Sequence, residues 1–163
     1  MKSPQQNTPP TAPPVPSLEY AFDVAVEVQS PHDHGVTRAG HRRVIPIVGG
    51  RLTGGVEAEI LPGGADWQVI RRDGTIEIDA QYTARTEHGE LLVLRTRGVR
   101  SGPPEVLARM SRGEPVVPSE YYFRTDLTVE TSAERLAHLE RACFVAACMR
   151  DATGVRYRVY RVT

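Results

Sequence analysis

The chain has 163 residues, enough for one domain with a real core, and its 20 Lys and Arg balance 20 Asp and Glu. Zero formal charge argues against a general nucleic-acid binder, and no apolar run approaches the ~20 residues of a membrane helix. Lys2 is the sole lysine, which excludes a lysine Schiff base from the folded part and any Walker-type loop.

Residues 1–17, MKSPQQNTPPTAPPVPS, nearly lack large apolar side chains. Such a segment cannot offset its ordering entropy, so it is read as a disordered Pro-rich tail before a single domain over 18–163. It has no apolar h-region, so a secretory signal is not expected. Cys143 and Cys148 are five residues apart on an apolar run, hence on opposite faces of a strand, and cannot bridge to each other. Buried free thiols in a reducing cytoplasm are the expected reading.

From Leu18 to Val28 apolar and polar residues alternate, which predicts a half-buried strand. SPHDHGVTRAGHRR then reads as a polar loop. RVIPIV (43–48) is a short apolar strand in which Pro46 points to an edge or a bulge. Gly49-Gly50 and Gly54-Gly55 mark sharp turns or close backbone contacts. Strands follow over Val56–Leu61 and Asp66–Arg72, and Arg72-Asp73-Gly74 signals a tight hairpin. Thr75–Arg85 alternates cleanly, with Ile76, Ile78, Ala80, Tyr82 and Ala84 against Glu77, Asp79, Gln81 and Thr83; Glu90–Arg97 is its antiparallel partner. Residues 103–112 predict a helix, with Pro at its entry and Gly113 past its end. Tyr121–Glu130, Cys143–Met149 and Val155–Val162 read as strands, and 132–142 as a second short helix.

About nine or ten strands without long helical crossovers make the fold all-β and mainly antiparallel, with one or two short helices. Sequential hairpins favour a closed barrel, which removes exposed edges; a two-sheet sandwich is the alternative.

Five stretches recur in order as a known pattern: IPIVGG (45–50), LPGGADWQ (61–68), DGTIEIDAQYTARTEHGELL (73–92), GPPEVLARMSRGEPVVPSEYYFRT (102–125) and VET (129–131). With them the chain, from about Leu18 to its end, resembles the domain-of-unknown-function family 3237, also called uncharacterised protein family 0311. The resemblance implies a compact antiparallel barrel of lipocalin-like appearance. It also implies a link, through a few relatives, to cofactor-free ring closures or hydration-type steps. Where that family tends to carry Trp-Leu-Asn, this chain has His138-Leu139-Glu140, so whatever those side chains contribute elsewhere does not carry over.

Two carboxylates are candidate catalytic groups. Asp66 follows a Gly-Gly turn and precedes Trp67; beside an aromatic wall its pKa would rise towards a useful general acid or base. The bland alternative is a turn-capping aspartate. Asp79 shares a polar strand face that is either a solvated exterior or the lumen of a ligand-binding barrel, and alternation alone does not say which. Trp67, Tyr82, Tyr122 and Arg124 are the candidate ligand-binding residues. Tyr122, Arg124 and Asp126 line one face over about 14 Å of strand, where Arg124 would hold a carboxylate or enolate oxygen and Tyr122 a carbonyl. A cross-strand ion-pair ladder is the rival reading. His32, Asp33, His34 and His41 carry a zinc-like spacing on what reads as a solvated loop, so no metal site is expected. GxSxG, CxxC, HExxH and GxGxxG are absent, and no cofactor is expected.

The expected function is a small-molecule site in the barrel mouth acting as a cofactor-independent acid/base catalyst. The reaction would be hydration, isomerisation or ring closure of a carbonyl compound. The alternatives are a non-catalytic ligand carrier and a module that forms a homo-oligomer through an exposed strand such as Arg43–Val48. A small-molecule partner is expected, and neither nucleic acid nor membrane.

Overall fold

The computed structural model describes residues 12–163. Most of the expected disordered tail, 1–17, therefore lies outside the described residues. Ten strands form one sheet: β1 (Leu18–Val28), β2 (His32–Thr37), β3 (Gly40–Thr53), β4 (Ala58–Ile60), β5 (Gly64–Ile70), β6 (Ile76–Thr86), β7 (Leu91–Ser101), β8 (Tyr122–Thr131), β9 (Phe144–Arg150) and β10 (Gly154–Val162). All pairings are antiparallel, and β1 closes the ring by pairing with β10 on one side and β3 on the other. The β2 hairpin arm is appended to β3 outside the ring, and β4 and β5 share one place between β3 and β6. Ten strands less β2, with β4 and β5 counted together, leave eight wall positions. Eight positions enclose a lumen just wide enough for side chains or one small ligand.

Alternation decides what the lumen holds. Along β6, Ile76, Ile78, Ala80, Tyr82 and Ala84 are buried, and the polar set points out. The two ends of the lumen differ in chemistry. Phe22, Leu52, Ile60, Leu92, Leu94, Leu127 and Val159 are almost fully buried and pack one end solid, each burial stabilising by roughly 1.5–3 kcal/mol. A 3₁₀ helix, Glu134–Glu140, plugs that end with Leu136 and Leu139. At the other end α1 (Pro104–Ser111) lies across the barrel and buries Val106 and Met110.

Several expectations are corrected. SPHDHGVTRAGHRR is a hairpin, not a loop: Asp33 accepts the Gly35 N–H at 2.8 Å, the Thr37 hydroxyl donates to the Gly40 carbonyl at 3.0 Å, and β2 and β3 pair on either side. Arg43–Val48 is not an edge, because β3 is paired there with β5 along one side and with β2 and β1 along the other. Of the two roles expected for Gly49-Gly50, close backbone contact holds and a sharp turn does not. These residues let β3 run on beneath β1, where a Cβ on Gly50 (φ +125°) would sit 2.0 Å from the Ala25 carbonyl oxygen. Cys148 is buried as expected, but Cys143 is exposed, because it precedes β9. No helix among the described residues is long and apolar enough to cross a membrane.

Candidate active site

The α1 end of the lumen is a partly enclosed cavity of about 270 Å³. Its walls are mostly apolar, from Val26, Ile45, Ile47, Ile78 and Phe123. The charged lining comes from Arg43, Asp66, Arg100 and Arg150, and deeper in lie Tyr82, Thr96, Thr125, Cys148 and Tyr157.

Asp66 projects inward because it shares a face with the cavity-lining Gln68 of β5 and pairs with Ala80, on the inner face of β6. The β5–β6 ladder is interrupted after Asp66↔Ala80 and resumes at Val69↔Glu77. In that gap Asp66 Oδ1 accepts the Asp79 backbone N–H at 3.2 Å. Asp66 Oδ2 accepts from Gln68 Nε2 at 2.6 Å, and Gln68 Oε1 accepts from Arg43 Nη2 at 2.8 Å. An arginine only donates, so Gln68 must turn its oxygen to Arg43 and its amide to Asp66. Each Asp66 oxygen thus uses one lone pair on the wall and keeps another for a proton. Loss of solvent pushes the Asp66 carboxyl up to about 6, against the opposing pull of these hydrogen bonds and of Arg100 and Arg43.

Arg100 ends the inner face of β7 and is 5% exposed. Its Cζ lies 5.6 Å from the centre of the Phe123 ring, its register partner on β8. Its Nε has no hydrogen-bond partner. Burial, with Arg150 and Arg43 nearby, pushes its guanidinium down to about 10, still a cation at neutral pH. The Tyr82 and Tyr157 hydroxyls are buried without partners. Burial raises the Tyr82 phenol far above its ordinary range, so it stays protonated. Burial also pushes the Cys148 thiol up to about 11, which leaves a weak donor and not a nucleophile.

Two of the residues singled out by sequence line this cavity, Asp66 and Tyr82. The other four are placed on the outer wall. Asp79 points away from the lumen and is clamped by Arg95, with both nitrogen–oxygen distances 3.1 Å. Trp67 is 53% and Tyr122 52% exposed. Arg124 stacks over Tyr122 at 5.5 Å and donates to the Phe123 carbonyl. For Asp79, Tyr122 and Arg124 the reason is strand phase: the apolar faces of β6 and β8 turned inward, so their polar faces turned out. Trp67 points out because Asp66 and Gln68, on either side of it, take the inner face of β5. His138 and Glu140 sit on the plugging 3₁₀ helix at the opposite end, where Glu140 accepts the Thr131 N–H. The change from the Trp-Leu-Asn pattern therefore does not touch the cavity. His41 and Asp33 meet at 2.6 Å on the β2–β3 hairpin, also outside it.

The cavity residues that sequence reasoning missed are Arg43, Gln68, Arg100, Arg150 and Tyr157. A signal existed. The three arginines stand in phase with largely apolar faces: Arg43 with Ile45 and Ile47, Arg100 with Leu92, Leu94 and Thr96, Arg150 with Ala146 and Cys148.

Residues 16–162 match the family described as "Protein of unknown function (DUF3237)". The chain belongs to this family. UPF0311 protein blr7842 of Bradyrhizobium diazoefficiens is 39% identical over 144 residues, 88% of this chain and 95% of that one. The crystal structure of the conserved protein of unknown function RPA1785 from Rhodopseudomonas palustris superposes with a TM-score of 0.87 at 35% identity, over 93% of this chain and all of that one. The crystal structure of an enzyme from Penicillium herquei shares the fold, with a TM-score of 0.71 at 16% identity over 94% of this chain and 99% of that one.

Proposed function

We propose that this DUF3237 member is a cofactor-independent acid/base catalyst acting on a small carbonyl compound inside the barrel. One observation carries the reading: a single carboxyl, Asp66, shares a largely apolar cavity with the buried guanidinium of Arg100. Asp66, poised near pH 6, takes a proton from the carbon next to a carbonyl and returns it elsewhere on the same molecule. Arg100 holds the enolate oxygen formed between the two transfers, and the apolar walls strengthen that attraction by excluding water. In isomerisation the proton lent to Asp66 returns to another carbon of the same molecule. In addition of water, or ring closure by a hydroxyl, Asp66 instead takes the proton of the attacking O–H and passes it to the enolate carbon, so each route ends without net proton change. Arg100 and Tyr82 replace Arg124 and Tyr122 as the groups that hold oxygen.

The test is turnover of a panel of conjugated enones and 2-oxo acids, followed by absorbance. Wild type is expected to act on at least one compound, with a rate that rises through about pH 6 as Asp66 ionises. Asp66→Asn should still bind that compound but lose its rate by about 10²–10⁴-fold. Binding with no turnover by the wild type would replace catalysis with carriage, and full activity in Asp66→Asn would remove Asp66 from the chemistry.

A further inference from the structure

The mouth half of the cavity holds more positive charge than it neutralises. Three guanidiniums, Arg43, Arg100 and Arg150, face one carboxyl, Asp66. Among the described residues, no carboxylate forms an ion pair with any of the three. Arg150 is exposed at the rim and solvated, and Arg43 is tied to Gln68. Arg100 has neither remedy. It is buried over the face of Phe123, which orients a cation without neutralising it, and the one carboxyl lining the cavity, Asp66, is shared with Arg43 and not ion-paired to either. A buried charge short of counter-charge is costly, and a ligand that brings a further negative charge lowers that cost.

The far end of the same cavity lacks charge but also has unmet groups. Tyr82 and Tyr157 reach it from opposite walls, both as buried hydroxyls without partners. Tyr157 is the register partner of Cys148, and Cys148, Tyr82 and Tyr157 all line this cavity. Between the two ends lie apolar walls and a volume of about 270 Å³, just under the range for drug-sized ligands.

We infer that the ligand of this cavity is a small, flat carboxylic acid with an oxygen at its opposite end, its carboxylate on Arg100 and its far oxygen on Tyr82 and Tyr157. This rests on the reading of the cavity as a small-molecule site and narrows its ligand class; in the acid/base reading the enolate oxygen on Arg100 is then one next to the ligand's carboxylate, as in a 2-oxo acid, and shares the same guanidinium. Guanidinium and carboxylate match as planar partners with two parallel hydrogen bonds, which a single alcohol or ketone oxygen does not provide. Two phenol O–H groups without partners are free to donate, so the far group is an acceptor such as a carbonyl or hydroxyl oxygen. An aryl or enoic acid of this kind bridges the charged end and the phenolic end, and its apolar middle fits the walls between them.

The experiment is calorimetric titration of the full chain at pH 7.5 with four probes: 4-hydroxybenzoate, its neutral amide 4-hydroxybenzamide, benzoate, and phenyl phosphate. Wild type should prefer 4-hydroxybenzoate over the amide by about tenfold or more, and over benzoate by a smaller factor. Arg100→Leu removes an unpaired buried charge, so it should remain folded, and it should erase the acid-over-amide preference. Arg100→Lys keeps the charge without the fork and should fall between the two. The double change Tyr82→Phe with Tyr157→Phe should erase the preference over benzoate alone. Equal binding of acid and amide, tighter binding of phenyl phosphate, or an unaltered preference in Arg100→Leu would overturn the assignment while leaving a small-molecule cavity. Failure of all four probes to bind would overturn the assignment; the enone and oxo-acid panel then decides the acid/base reading separately.

Discussion

A single hydrogen bond, 3.2 Å from the Asp79 backbone N–H to Asp66 Oδ1, joins two aspartates whose side chains lie on opposite sides of one barrel wall. The wall sets their chemistry apart. Asp66 is held away from water and favours its proton; Asp79 is solvated and bound by Arg95 and Arg97, which hold its carboxyl below the usual range. Side-chain direction, a property of strand phase, separates a candidate catalytic group from an ordinary surface one.

Asp66 makes stability depend on pH in a defined direction. Its folded pKa, about 6, lies above the ordinary 3.8, so the native state binds the proton more tightly. The group's contribution is full below about pH 4 and is lost as pH rises through about 6. By pH 7.5 ionisation costs roughly 2–3 kcal/mol. Asp66→Asn escapes that cost but gives up one acceptor. Its melting temperature relative to wild type should therefore climb by roughly 4–8 °C between pH 4 and pH 7.5. A pH-independent difference would show that Asp66 titrates normally.

Asp79→Asn should behave as a surface change. Its side chain is 45% exposed and its ion pairs are solvated. Thermal melts should shift by less than about 3 °C, and the affinity of any cavity ligand should stay within about twofold of wild type.

Tyr82→Phe removes a buried hydroxyl that bonds to nothing. Without ligand the variant should be more stable by about 1 kcal/mol, read from urea midpoints at an unchanged slope. A loss of stability instead would mean that the hydroxyl is satisfied in the free protein.

Gly50 and Gly63 both have positive φ, but only Gly50 is crowded. Gly50→Ala forces a Cβ to within 2.0 Å of the Ala25 carbonyl oxygen and should cost more than about 4 kcal/mol, enough to leave little folded protein. At Gly63 nothing lies within 4 Å, so Gly63→Ala should cost about 1–2 kcal/mol of backbone strain alone. Circular dichroism melts of the pair separate crowding from strain.

Much of the barrel was legible because alternation is a local signal. Leu18–Val28 and Ile76–Thr86 announce themselves in a few residues each. The β2 arm was hidden because its residues, His32–Thr37, are nearly all exposed and carry no apolar phase. The site was half legible. Asp66 and Tyr82 stood out, but Asp79, Tyr122 and Arg124 belong to polar faces, and those faces meet water. Arg100 was missed because β7 was expected to end at Arg97, whereas it runs to Ser101 and carries the inward phase through Gly98 to Arg100. In a closed barrel an interior site is built from the exceptions to the apolar face, and an arginine three residues beyond the expected strand end shows its inward phase only once the strand is carried on to it.

The plugged apolar end and the charged end of the lumen divide labour along the barrel axis. The residues that make the chain fold are gathered around Phe22, Leu94 and Leu139, while those that would choose a ligand are gathered around Arg43, Asp66 and Arg100. Between them, side chains such as Ile78 and Phe123 belong to both. Descent can therefore rewrite one end as a replaceable cassette while the other stays fixed, and two relatives with superimposable walls can recognise molecules that have nothing in common.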